Sequence, residues 1–130
     1  MPFQKNLTVR RLLSARVATT DTQGAAVDLS TSINPGVRDM KAVLDVGALA
    51  GTAGAGLGLD VKLQHSDTTT AADFTDVSGA AFTRVTATAG GIEEIHFSTA
   101  RRYVRAAVTF GTSATSATFG VYIVTENRVQ

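Results

Sequence analysis

The sequence contains no cysteine and no tryptophan, and each absence limits what the protein can do. Without cysteine the chain has no disulfide bond, no thiolate nucleophile and no zinc–thiolate site. Aromatic residues make up only 6% of its 130 residues, so aliphatic side chains must supply most of a core. A chain of this length has room for one domain, whose stability must come from packing or from association with other chains.

An excess of charge of either sign is also absent. The 12 basic and 11 acidic residues give a formal net charge of +1, which provides no electrostatic reason to expect binding to nucleic acid or to an anionic membrane. No apolar run approaches the roughly 20 residues that cross a bilayer, and no signal peptide is evident. We therefore expect a soluble protein, made in a cytoplasm, that binds neither nucleic acid nor a membrane.

The sequence does show the two-residue alternation that is typical of β-strands, and it is clearest over residues 101–110. The inward face of this predicted strand consists of Val104, Ala106, Val108 and Phe110. On the opposite face, Arg101, Tyr103 and Arg105 are expected to make structural ion pairs or a subunit contact. We predict that this segment is a central strand of a sheet.

Alternation recurs along the chain. Residues 119–124 repeat it after a loop rich in Gly, Ser and Thr, with Phe119, Val121 and Ile123 on one side and Tyr122 and Val124 on the other. We predict that they form an antiparallel hairpin with the 101–110 strand. Further alternating segments lie at 25–29, 38–47, 59–64 and 92–97. In the last three, the residues predicted to face inward are Met40, Ala42, Leu44, Val46, Leu59, Val61, Leu63, Ile95 and Phe97. About seven short strands separated by turns, without a sustained helical period, predict an all-β protein, an antiparallel β-sandwich or barrel over residues 21–130.

Residues 1–20 are assigned to a separate N-terminal arm. The segment is locally basic, since its four basic residues precede the first acidic residue, Asp21, and its alternation is weak. Either it is a poorly ordered terminus, or it docks on another protein through its basic side chains and leucines. In the second case the contact residues are Lys5, Arg10, Arg11, Leu12, Leu13 and Arg16. The sandwich is then expected to fold without residues 1–16.

No group of side chains predicts a catalytic site, a cofactor or a metal ion. The Gly-rich stretch 47–58 lacks the Lys-Ser or Lys-Thr of a phosphate-binding loop. Glu93 and Glu94 are neighbours on a predicted strand and must point to opposite faces, so they cannot form a facing pair. The remaining acids and histidines follow no recognised ligand spacing: Asp67, Asp73, Asp76, His65 and His96. We expect a protein that works by binding and is not an enzyme.

Three motifs in the second half of the chain resemble those of a known protein family. They are Leu-Asp-Val-Lys-Leu-Gln-His-Ser-Asp at 59–67, Phe-Thr-Asp-Val at 74–77 and Ala-Arg-Arg-Tyr-Val-Arg-Ala at 100–106, followed by a Val-rich final strand. In this order they resemble the capsid decoration, or cement, proteins encoded in the head gene clusters of tailed bacteriophages. A similar layout occurs in carbohydrate-binding sandwiches, which usually carry Trp after the Ser-Asp turn, where this chain has Phe74.

The resemblance implies a jelly-roll-like β-sandwich that decorates or cements a phage head. It implies a homotrimer bound to the major capsid protein on the capsid surface of the virion, after synthesis in the host cytoplasm. The alternatives are a head-completion or tail structural protein and, from a different class, a carbohydrate-binding module.

Overall fold

The computed structural model of the chain describes residues 5–18, 21–29, 38–51, 56–86 and 88–128. These residues form nine strands: β1 (Lys5–Ala18), β2 (Thr22–Gln23), β3 (Val27–Asp28), β4 (Arg38–Gly51), β5 (Leu59–Ser66), β6 (Thr75–Ala81), β7 (Gly91–Thr99), β8 (Tyr103–Phe110) and β9 (Ala114–Arg128). A short 3-10 helix at Ala71–Asp73 lies between β5 and β6. In these ranges no helix is long and apolar enough to cross a membrane.

The strands form two antiparallel sheets that share one core. The first sheet has four strands in the order β1-β9-β4-β7, and the second has the order β2-β8-β5-β6, with β3 also paired to β8. Along the chain the pairs β1–β9, β2/β3–β8, β4–β7 and β5–β6 nest inside one another, as if one long hairpin were folded into two layers. This nesting is the jelly-roll arrangement. It confirms the predicted all-β, jelly-roll-like antiparallel sandwich.

The core between the sheets is mostly aliphatic, and its residues follow the alternation of the sequence. On β8, Val104 and Ala106 are fully buried and Val108 is 2% exposed, as predicted. The inward residues predicted for β4 and β5 are also buried: Met40, Ala42, Leu44, Val46, Leu59, Val61 and Leu63. Phe119 of β9 is the largest of the fully buried side chains in the described part of the chain. The period of two therefore predicted the buried face of each of these strands correctly.

The predicted hairpin between residues 101–110 and 119–124 is wrong. β8 pairs with β5 in the second sheet, whereas β9 lies between β1 and β4 in the first. The link at 111–113 crosses from one layer to the other, held by the N–H of Gly111 on the Gly58 carbonyl at 2.8 Å and the N–H of Ser113 on the Gly56 carbonyl at 3.0 Å. Alternation shows which side of a strand is buried, but it does not identify the neighbouring strand.

The segment assigned to an N-terminal arm forms β1, the first strand of the jelly roll. It pairs with β9 from Lys5 opposite Arg128 to Ala18 opposite Ala117. The register shifts on both sides of Leu13, which marks two bulges, and a bulge interrupts the period of two. These interruptions explain why the alternation of this strand is weak in the sequence. Because β1 completes a sheet, removal of residues 1–16 would remove most of a strand, contrary to the expectation above.

Candidate interaction surfaces

The six predicted contact residues all lie on β1, and the structure describes the side chains of two of them. Leu12 is 2% exposed and belongs to the core, so its side chain is not accessible on the surface of the single chain. Arg11 is exposed, and its register partner is Tyr122 of β9. The side chains of the other four lie outside the described residues: Lys5, Arg10, Leu13 and Arg16. For these four, a contact with another protein stays a prediction.

Arg11 belongs to the outward side of the four-stranded sheet, which we call the four-strand face. Its other members discussed here are Lys41, Val43, Ile92, Glu94 and Tyr122. Lys41 of β4 and Glu94 of β7 form an ion pair across the strands at 3.0 Å. Ile92 is 71% exposed and is the one exposed large hydrophobic residue among the described side chains. The face therefore combines charged groups with an accessible isoleucine.

Tyr122 lies flat along its own strand on the four-strand face. A Cβ atom at Gly120, two residues earlier on the same side, would lie 2.7 Å from the Tyr122 hydroxyl oxygen and 3.0 Å from the ring carbon Cζ. Gly120 is buried because this ring covers it. The Tyr122 ring thus occupies the space that a side chain at residue 120 would need, so the surface is flat at the centre of the four-strand face.

On the outward side of the other sheet, which we call the five-strand face, a polar network surrounds Arg105. The Arg105 Nε donates to Gln64 Oε1 at 3.0 Å, and the Gln64 amide donates to Asp76 Oδ1 at 3.0 Å. Lys62 pairs with the other oxygen of Asp76 at 2.9 Å. Hydrogen bonds from Gln64 and Lys62 hold the pKa of Asp76 below its usual value. The network keeps β5, β6 and β8 in register on this face.

The predicted ion pairing of the 101–105 segment is found at Arg101, which pairs with Asp67 at 2.7 Å. The hydrogen bond from Arg101 is the main cause that lowers the pKa of Asp67. Arg105, in contrast, is 8% exposed and donates to neutral groups, Gln64 Oε1 and the Ala71 carbonyl. The sequence did not show that Arg105 would be covered, because the 3-10 helix and Phe74 fold over it from a distant part of the chain.

His65 joins the two sheets at the end of the sandwich where Arg101 lies. Its Nδ1 is 2.7 Å from the Thr99 hydroxyl, and Thr99 also accepts a hydrogen bond from the Arg101 N–H at 3.0 Å. Burial lowers the pKa of His65 and the Arg101 charge lowers it further, while Asp67 acts in the opposite direction. The site favours a neutral imidazole, which can bond to a hydroxyl group.

The acidic residues considered in the sequence do not come together. Asp67 and Asp76 belong to the separate ion pairs described above, and Asp73 accepts a hydrogen bond from the Thr68 hydroxyl at 2.6 Å. In the described residues, no three His, Asp or Glu side chains are grouped so as to hold a metal ion.

Glu93 and Glu94 point to opposite sides of β7, as predicted. Glu93 accepts hydrogen bonds from the N–H and the hydroxyl of Thr83 at 2.8 and 2.9 Å. Glu94 pairs with Lys41 on the four-strand face. Glu93 thereby ties the edge of the first sheet to the segment that follows β6, so both glutamates have structural partners.

Sequence reasoning missed Ile92 and Tyr122 as surface features. A signal was present for Ile92, because Ile95 and Phe97 were assigned to the inner face and residue 92 has the opposite parity to both. Tyr122 was likewise placed opposite the buried residues of its strand. What the sequence could not show is that four strands bring these side chains to one face.

Comparisons with known proteins show a likeness of fold and no family. No protein-family model matches the chain, and no curated protein matches it in sequence. Solved structures do match. The crystal structure of YomS, a protein derived from the SPBc2 prophage, superposes with a TM-score of 0.56 and 12% identity, and the match covers 98% of each chain.

Two further structures share the fold as part of a larger chain. The VP2 subviral particle of infectious bursal disease virus matches with a TM-score of 0.55 and 9% identity over 96% of this chain and 33% of that one. Latent PorU from Porphyromonas gingivalis matches with a TM-score of 0.52 and 11% identity over 98% of this chain and 13% of that one. The chain thus has the sandwich fold of a prophage protein and of a virus particle protein.

Proposed function

We propose that this protein is a structural component of a virion, most specifically a decoration or cement protein on the head of a tailed bacteriophage. It acts by binding the major capsid protein and itself, and it is not an enzyme. It is synthesised in the host cytoplasm and ends on the outer surface of the capsid. Neither nucleic acid nor a membrane is among its partners.

The observation that carries the proposal is the match to the prophage protein YomS along nearly the whole of both chains. At 12% identity this match establishes a shared fold. The proposal adds to it the sequence resemblance to phage decoration proteins. A fold alone does not define a function, and jelly rolls serve in viral capsids and in lectins alike.

The contact surface that we propose is β1 together with the adjoining four-strand face. Among the described strands β1 lies at the edge of its sheet, and its backbone groups on the side away from β9 can pair with another chain. Arg11 is exposed there, and Ile92 offers apolar area at the opposite edge. Burial of the isoleucine would prolong a complex, while the arginine would speed its formation.

A measurement of copy number in purified particles tests this function. Particles from a strain that carries the gene would be purified, and this protein would be quantified against the major capsid protein by mass spectrometry. We expect comparable copy numbers. A protein found only in the lysate, and absent from particles, would overturn the virion assignment. A few copies per particle would instead indicate the head-completion or tail alternative.

The proposed homotrimer has its own test. Light scattering at micromolar concentration should give three times the chain mass, or the trimer should appear when the protein is bound to capsids. A monomer both in solution and in capsid-bound density maps would contradict it.

A further inference from the structure

A polar trough crosses the five-strand face beside the Arg105 network. Its volume is about 500 Å³, and it is lined by Asp21, Gln23, Lys62, Gln64, Ala107, Val108 and Thr109. Sites for small ligands typically enclose about 300–1,000 Å³. The trough is open to solvent and mostly polar, so the ligand that fits it is hydrophilic.

The sheet register explains how the trough forms. Ala107 of β8 has Gln23 of β2 on one side and Lys62 of β5 on the other. Side chains directly opposite each other in paired strands lie on the same face. A short methyl group between two long polar side chains leaves a channel, and Ala107 is its floor.

The hydrogen-bonding groups of the trough divide into fixed and available ones. Asp21 Oδ1 accepts the Phe110 N–H at 2.8 Å, which fixes the carboxylate and leaves its second oxygen for another donor. Lys62 uses one of its three donors on Asp76. Among the described residues, no hydrogen bond reaches the Gln23 amide or the Thr109 hydroxyl. The trough therefore offers a carboxylate oxygen, an amide, a hydroxyl and ammonium donors.

We propose that this trough binds a neutral carbohydrate. Each sugar hydroxyl both donates and accepts a hydrogen bond, and the trough presents donors and acceptors side by side. One aspartate and one lysine line it, so its charges balance and favour neither an anion nor a cation. The proposal goes beyond the role in a capsid, because the trough lies on the sheet opposite the proposed contact face.

The composition of the trough also sets the expected strength of binding. None of the lining residues is aromatic, and of the two apolar ones Val108 is 2% exposed and belongs to the core, so the Ala107 methyl is the main apolar contact for a sugar ring. Recognition would rest on hydrogen bonds, each of which contributes little net free energy in water. We expect a dissociation constant of about 1 mM for a monosaccharide, and many copies on one particle would raise the overall avidity.

Nuclear magnetic resonance on the full chain tests the proposal directly. The ¹⁵N-labelled protein would be titrated with glucose, galactose, mannose, N-acetylglucosamine, lactose and maltose, and separately with inorganic phosphate. The reporters are the backbone amides of Gln23, Lys62, Ala107 and Thr109. We expect at least one sugar to shift these amides in a saturable way, while phosphate does not.

Three variants locate the response. Ala107→Phe fills the floor and should abolish the shifts, and Gln23→Ala should weaken binding about tenfold. Thr118→Val, an isosteric change at an exposed position on the opposite sheet, is the matched control and should bind as the wild type does. Spectra of the free variants report whether each one is folded. The proposal is overturned if no sugar gives saturable shifts, if phosphate alone shifts these amides, or if folded Ala107→Phe binds normally. Because no capsid is involved, the result is independent of the proposed function.

Discussion

Arg105 lies over the ring of Phe74, with its guanidinium carbon 4.2 Å from the ring centroid. Phe74 lies between the 3-10 helix and β6, 31 positions before Arg105 of β8. Each is 8% exposed. A charged group that loses water needs compensation, and the ring face provides it together with the hydrogen bonds to Gln64 and Ala71.

The first prediction is that this stacked pair stabilises the sandwich. Phe74→Ala should lower the free energy of unfolding by about 3 kcal/mol, because it removes buried ring area and the partner of the guanidinium. A double-mutant cycle of Phe74→Leu with Arg105→Gln should give a coupling free energy of about 1 kcal/mol in urea denaturation. The same cycle with Phe82→Leu, a core phenylalanine, is the control and should give almost none. Equal coupling in both cycles would contradict the prediction.

The second prediction concerns three glycines that differ in what surrounds them. A Cβ at Gly111 would collide with the backbone carbonyl of Gly56, one at Gly58 would collide with the movable guanidinium of Arg84, and one at Gly91 would meet nothing within 4 Å. Gly111→Ala should therefore destabilise by about 2 kcal/mol, since the link between the layers must move.

The other two alanine variants complete the series. Gly58→Ala displaces Arg84 from its ion pair with Asp60 and should cost about 1 kcal/mol or less, because both groups are partly exposed. Gly91→Ala should be neutral or stabilise by about 0.5 kcal/mol, since alanine has fewer unfolded conformations. Thermal and urea unfolding of the three proteins give the order. A cost at Gly91 equal to that at Gly111 would show that glycine flexibility, and not the surrounding space, determines the result.

The third prediction follows from the lowered pKa of His65. The unfolded chain takes up a proton near the ordinary value of 6.5, whereas the folded protein takes it up only at lower pH. Stability should therefore fall as the pH falls through 6.5 towards the folded pKa, and be fully restored above 6.5. His65→Asn places an amide oxygen near the Nδ1 position and should cost less than about 1 kcal/mol at pH 7.

Urea unfolding between pH 7.5 and 5 distinguishes the contribution of His65 from that of the acids. The difference in stability between wild type and His65→Asn should shrink or reverse as the pH falls. His96→Asn, at the other and exposed histidine, serves as the control. Parallel curves for wild type and His65→Asn would show that His65 does not contribute to the pH dependence.

The sequence predicted the inward faces of β8 and β5 because apolar and polar residues alternate along each strand, and this pattern depends only on neighbouring residues. It could not predict that β8 and β9 lie in different layers. That depends on the link at 111–113, which crosses between the sheets and is held by hydrogen bonds to the distant residues Gly56 and Gly58. It also assigned Leu12 to an arm, because a bulge beside this residue breaks the alternation that marks a strand. The trough on the five-strand face needs Gln23, Lys62 and Ala107 from three strands, and no local pattern joins them.

The last prediction uses two adjacent residues of β1, Arg11 and Leu12, to separate contact from folding. Leu12→Ala should lower the free energy of unfolding by about 3 kcal/mol, because the side chain is buried in the core. Arg11→Ala should change stability by less than about 0.5 kcal/mol, because the side chain is exposed.

The rate of association with capsids should instead depend on Arg11, the residue whose substitution has little effect on stability. Under the proposed function Arg11→Ala should slow binding to undecorated capsids and lessen its salt dependence, since exposed charges act mainly on the association rate. Binding is measured by surface plasmon resonance from 50 to 500 mM salt, with Lys62→Ala on the five-strand face as the charge-matched control. If Arg11→Ala and Lys62→Ala give the same salt dependence as wild type, Arg11 takes no part in the contact, and the proposed surface must lie elsewhere on the sandwich.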